Sequence, residues 1–204
     1  MPSIPPTRSN LARLLHQPTR SNADWHITTS DEPLQAQRIV LAAGVWSAKL
    51  LKPLGLTIPL VAERGYHVKF PIPSCSLNNS VMDVDAKVVA SSMIGGLRVS
   101  GTAEIADIDA PQDPQKKSIL IAQAKAMIPD LDTADARFWM VRRPSFPDSL
   151  PAIGEVDGKP GLYTAFGHSH YGLVMAPKTG ELVVDLVSER SLNVDFRQFS
   201  LARF

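Results

Sequence analysis

Apolar positions along the chain switch between a spacing of two and a spacing of three to four, and the switches mark the elements. Residues 25–29 alternate, and residues 38–43 are a short apolar run. With Ser30-Asp31-Glu32-Pro33 between them, they predict two strands joined by a turn. Gly44 ends the second strand, and residues 46–54 read as a short helix closed by Pro53. Residues 60–70, 81–90 and 97–103 carry β-branched and aromatic side chains between turn signals and predict three strands. Gly95-Gly96 suits a tight turn between the last two. Asp113-Pro114 predicts a helix start, with an acceptor at the N-cap and a proline behind it. Ile119, Ala122, Ala126 and Met127 then follow helical spacing until Pro129. Residues 136–143 predict a strand stopped by Pro144, with Phe138, Trp139 and Met140 in the sheet core. Residues 161–166 predict a short buried strand. Residues 177–187 predict a helix with Leu182, Val183, Leu186 and Val187 on one face. Strands grouped in the middle with helices at the flanks define an α/β (α+β) fold whose sheet is mixed and mainly antiparallel.

Composition narrows the function classes. The 204 residues suit one large domain or two small lobes, and 44% hydrophobic with 20% charged residues is ordinary for a globular chain. A net charge of +1 leaves no footprint of a nucleic-acid or acidic-membrane partner. No apolar run is long enough to span a bilayer. The single cysteine, Cys75, excludes an intrachain disulfide and a cysteine-rich metal cluster, and its loop setting reads as structural. No charged-then-apolar leader opens the chain, so the expected location is cytoplasmic, and Asn78-Asn79-Ser80 is loop chemistry despite its sequon pattern. Residues 1–23 hold Arg8, Arg13 and Arg20 and no acid, a faint likeness to a transit peptide. Pro2, Pro5, Pro6 and Pro18 interrupt any long helix there, so the expectation is a poorly ordered leader with at most one short helix around residues 11–15.

Three segments carry candidate chemistry. Leu41-Ala42-Ala43-Gly44-Val45-Trp46-Ser47 is a buried strand ending in a glycine, where a backbone can approach a ligand closely. Residues 143–154 place Arg143 at a strand end before a proline-rich turn, where a guanidinium can clamp a carboxylate through two parallel hydrogen bonds. Gly167-His168-Ser169-His170-Tyr171-Gly172 lies between a strand and a helix. Such a turn offers unpaired backbone N–H groups and the positive end of a helix dipole to an anion or an electron-rich carbonyl. Arg142 and Arg143 are strand neighbours and point to opposite faces, so at most one enters a site. His67 either lines a substrate cavity or faces solvent. His168 and His170 form H-x-H, but no third ligand sits nearby, so turn packing and no metal is the expectation. The same turn mimics a nucleophile elbow with Ser169 as nucleophile. It misses G-x-S-x-G by one residue, and the only later histidine is His170, inside the turn.

The order LAAGxWS, RPxxPDxxPxIG, GHxxxGxxxAPxTG over residues 25–190 resembles the C-terminal half of D-amino-acid dehydrogenases, glycine oxidases and related flavoenzymes. Arg64-Gly65-Tyr66 and residues 97–104 are similar to strands of that family's substrate domain. The resemblance implies that residues 24–58 and 144–204 belong to an FAD-binding domain and residues 59–143 to a substrate-binding domain. It implies Ala43, Gly44 and Trp46 near the FAD pyrophosphate and ribose. It places Gly167, His168, His170, Tyr171, Gly172 and Leu173 near the flavin ring, with amides toward its pyrimidine edge. Arg143 would pair with the substrate carboxylate, beside His170 and Tyr171 as further catalytic candidates. The implied activity is FAD-dependent oxidation of a C–N bond in a small-molecule amino acid or amine, giving an imine that hydrolyses to a keto acid and ammonia. One departure stands out: the family's G-x-G-x-x-G unit is missing, since the twelve glycines never form G-x-G. The expectation is therefore a truncated chain that binds FAD weakly alone and works as a homo-oligomer or with a second polypeptide. The alternative is a non-catalytic fragment or partner-completed domain without flavin.

Overall fold

Alternation turns Trp25 and Thr29 inward from an antiparallel sheet in the computed structural model, which describes residues 15–21, 24–30, 32–191 and 195–204. These residues form two units. One draws on the described residues up to Ile58, within Ala152–Phe166 and within Ala176–Phe204, the other on Pro59–Pro151 and Gly167–Met175.

In the first unit β1 (Leu15–Ser21) pairs with β2 (Asp24–Thr29), and β2 with β3 (Leu34–Ala36). Residues 15–21 are thus sheet rather than irregular leader. Residues 11–14 of the expected short helix lie outside the described residues. The expected partner of β2, residues 38–43, does not pair with it. Its core, β4 (Ile39–Leu41), instead runs parallel to β11 (Leu162–Phe166), which pairs antiparallel with β10 (Ala152–Glu155). Gly161 makes this crossing possible. It has φ +79, and a Cβ there would lie 2.4 Å from the carbonyl oxygen of Gln37. Next to it, the buried Trp25 indole donates to the carbonyl of Pro160 at 3.0 Å. After β4 the chain coils as a 3-10 turn (Gly44–Trp46), α1 (Ser47–Leu51) and a second 3-10 turn (Lys52–Leu54). Pro53 sits inside the last turn, and Gly55, left-handed at φ +81, ends it.

The second unit is a five-stranded antiparallel sheet in the order β6-β7-β8-β5-β9, formed by β5 (Val61–Phe70), β6 (Val81–Asp83), β7 (Val88–Met93), β8 (Gly96–Ala106) and β9 (Arg137–Ser145). The predicted strand 81–90 is a hairpin, because Asp83 accepts the amide of Ala86 and Lys87 turns at φ +54. Pro144 lies within β9, tolerated because β9 is an edge strand. One sheet face is covered by α2 (Gln115–Met127), whose Leu120 and Ala124 pack on Tyr66, Val68, Phe70, Leu97 and Val99. The Asp113 carboxylate accepts the amide of Gln115 at 2.9 Å, which is the expected capping role. Cys75 is partly buried against this core.

Arg64 is only 1% exposed on that covered face, which polar partners make tolerable. Its guanidinium donates to the Tyr66 hydroxyl (3.0 Å) and the Pro111 carbonyl (2.5 Å) and pairs with Glu104 at 3.3 Å. Burial, and then the hydrogen bond to Glu104, raises the Tyr66 phenol above its ordinary pKa. Arg142 also serves this side, donating to the Ile108 carbonyl at 2.6 Å.

Finally, α3 (Gly172–Val187) begins five residues before the predicted start and carries Pro177 inside it, where the ring removes one backbone donor. Among the described residues no helix is long and apolar enough to cross a membrane.

Candidate active site

The uncovered face of the larger sheet collects the candidate chemistry. Strand register sets Glu63, Gly65 and His67 of β5 beside Arg143, Val141 and Trp139 of β9. Period-two geometry therefore separates the neighbours Arg142 and Arg143 onto opposite faces, and Arg143 is the one on the open side. Its guanidinium lies over Gly65. A Cβ at Gly65 would fall 2.1 Å from Nη1 and 2.6 Å from Cζ, so the missing side chain is the seat of the guanidinium. Arg143 pairs with Glu63 at 3.7 Å, beyond hydrogen-bond reach, and makes no hydrogen bond to another described residue. Its donors stay available to a carboxylate.

Glu63 is the hub of this cluster and is the residue that reading the sequence missed. Its Oε1 meets His170 Nε2 at 2.7 Å, and its Oε2 accepts from the Ser145 hydroxyl at 3.3 Å. The turn that carries His170 is fastened to the edge of β9. Ser145 and His168 form a backbone bridge, and the Ser169 amide donates to the Pro144 carbonyl at 2.9 Å. Arg143 and His170 thus meet on one carboxylate. Burial holds His168 below the usual histidine pKa. Ser169 is left-handed at φ +49, and the neighbouring His170 imidazole is engaged by Glu63. Among the described residues Ser169 makes no hydrogen bond to a histidine, so the turn shows no Ser-His-acid relay.

Trp139 is not core. Phe138 and Met140 pack into the covered side, whereas Trp139 is 37% exposed on the open face and stacks on His67 with ring centroids 4.2 Å apart. His67 is 7% exposed, and neither ring nitrogen has a partner. Burial first, then the positive charges of Arg98 and Arg143, lowers its pKa to about 4.

The remaining candidates fall in two places. Gly167 (φ +89) opens the turn, and Gly172 begins α3. The first helical turn has no acidic side chain, and of its amides Met175 closes on Tyr171 at 2.9 Å. The earlier amides have no intrahelical partner by helix geometry. Tyr171 and Leu173, the latter 91% exposed, flank them. Open amides beside exposed apolar surface suit a flat ring with electron-rich carbonyls, so these residues fit a flavin. In the other unit, Ala43 precedes Gly44, left-handed at φ +56 with no atom near its absent Cβ, and Trp46 is half exposed. That open backbone suits the close approach of a dinucleotide.

Known proteins are similar to this chain in sequence and fold. Glycine oxidase from Geobacillus kaustophilus superposes with a TM-score of 0.79 at 26% identity, over 94% of this chain and 52% of that one. D-amino-acid oxidase from Bradyrhizobium diazoefficiens is 36% identical over 182 residues, 87% of this chain and 43% of the relative. Glycine oxidase from Pseudomonas aeruginosa is 32% identical over 170 residues, 83% of this chain and 46% of the relative. The FAD dependent oxidoreductase family model matches residues 10–186. The chain belongs to the FAD dependent oxidoreductase family. It spans a little under half the length of these two relatives.

Proposed function

We propose that this chain takes part in the FAD-dependent oxidation of the C–N bond of an amino acid or amine, and that Arg143 holds the substrate carboxylate. The observation that carries this reading is the Arg143 guanidinium, seated over Gly65 with its donors unused. Glu63 balances its charge and fixes the His170 ring, while the turn docked on β9 sets the open amides of α3. Those amides would face the ring of FAD. When bound, FAD would supply the oxidant, taking a hydride from the carbon while the nitrogen gives a proton to water, and the imine product hydrolyses to a keto acid and ammonia. Amides aimed at a ring that becomes electron-rich stabilise it without reorganising. The test is dye-linked turnover of amino acids by FAD-supplemented protein. Arg143→Ala should lower substrate affinity roughly ten- to a hundredfold, the worth of a charged bidentate contact. Equal turnover by the variant overturns the assignment.

A partner-completed or self-associated form is the second reading. It is favoured by β4, which ends its sheet and leaves Val40 43% exposed. Sedimentation velocity with flavin absorbance tests it. A monomer with stoichiometric, tightly held FAD excludes it.

A further inference from the structure

The proposed function needs one carboxylate site, but the open sheet face is built for more. Register places Arg98 of β8 opposite Lys69 of β5, on the same face as His67. Lys69 in turn stands opposite Arg137 of β9. This face therefore carries Lys69, Arg98, Arg137 and Arg143 against one acid, Glu63, which already receives His170, Arg143 and Ser145. Three buried nitrogens lie there without partners: both ring nitrogens of His67 and Nε of Arg98. Unsatisfied buried polar atoms are costly, and three on one face of a folded sheet mark a place where a ligand supplies the acceptors. The indole of Trp139 closes one side of the imidazole, so the pair forms a rigid floor.

We propose that this floor is a second carboxylate subsite, formed by Arg98 and His67, and that the substrate is a dicarboxylic amino acid of aspartate or glutamate length. The inference rests on the carboxylate role proposed for Arg143. Its guanidinium sits over Gly65, and His67 is two residues farther along β5, roughly 7 Å at strand rise. Two carboxylates joined by a short carbon chain bridge that span. An acceptor-only group also satisfies Arg98 and a protonated His67 together, while a neutral side chain leaves the local cations uncompensated. Burial and the two arginines hold the pKa of free His67 down, and a carboxylate bound beside the ring would raise it.

Calorimetry on the FAD-supplemented chain tests this, with each hand of glutamate compared with the same hand of glutamine, its neutral isostere. Glutamate should bind roughly ten- to a hundredfold more tightly in the accepted hand, and Arg98→Gln should abolish that preference. In the unsubstituted chain the His67 ring resonances should report a raised pKa with glutamate and not with glutamine. Equal affinity for the two, no glutamate binding at millimolar concentration, or a preference that survives Arg98→Gln overturns the subsite. Dye reduction is read separately. Preference without turnover strikes the oxidoreductase reading alone, and turnover without preference strikes the subsite alone.

Discussion

Replacing Gly65 with alanine should cripple carboxylate binding while leaving the fold intact. The new methyl would sit 2.1 Å from Nη1 and 2.6 Å from both Cζ and Nη2 of Arg143, and these are the mobile end of a long side chain. The guanidinium must retreat by about 1 Å or more to reach ordinary contact, and a misplacement of that size costs on the order of a hundredfold in rate. Losing the paired hydrogen bonds to a carboxylate alone costs about 1.5–3 kcal/mol. Stability should barely change. Gly65 is not left-handed, so alanine is compatible with its backbone and lowers the entropy of the unfolded chain, worth about 0.4–1 kcal/mol. Titration calorimetry with an amino-acid substrate, beside a thermal melt, separates the two effects. The double variant Gly65→Ala, Arg143→Ala should bind no worse than Arg143→Ala alone, since the glycine acts only through the arginine. Unchanged affinity in Gly65→Ala, or additive losses in the double variant, refutes the seat.

Three other outcomes follow from the same geometry. The folded pKa of His67 is about 4, below the ordinary 6.5, so the unfolded chain binds a proton that the native state refuses. Stability from this group is therefore intact above about pH 6.5 and lost as pH falls toward 4, by up to about 3 kcal/mol. Urea midpoints of the parent should drop across that window and those of His67→Gln should drop less; parallel curves count against it. Arg64→Met should destabilise by about 3 kcal/mol, because it leaves Glu104 and the Tyr66 hydroxyl without their buried cation. A chemical-denaturation midpoint like the parent's contradicts this. Gly161→Ala forces a left-handed alanine against the Gln37 carbonyl and should cost about 2 kcal/mol or more, read as loss of Trp25 burial by fluorescence.

The mixed architecture was legible because period-two and helical spacing survive in single elements. Alternation puts Arg142 and Arg143 on opposite faces, while the choice of Arg143 comes from the family resemblance, and the Asp113 cap follows from local chemistry. The errors share a physical cause. Pro144 reads as a strand stop and Pro177 as a helix start, yet an edge strand and a helix can each absorb a missing donor. Asp83 and Asp85 interrupt an apolar run too briefly to outweigh it, so a hairpin looked like one strand. Glu63 meets Ser145 and His170 only across the fold, and a lone acid in a strand looks solvated until register supplies its partners. Trp139 was assigned inward by its type, although its odd-numbered phase with Val141 and Arg143 sets it outward.

The parallel pairing of β4 with β11 has a consequence during synthesis. Trp25 and Pro160, which fasten the neighbouring contact, are 135 residues apart. At a translation rate of roughly 5–20 residues per second, the apolar run of β4 waits on the order of ten seconds for its neighbour. During that interval the larger sheet, whose strands all lie between Val61 and Ser145, can finish first. The nascent chain should therefore emerge with one unit folded and the other a sticky, protease-sensitive tether.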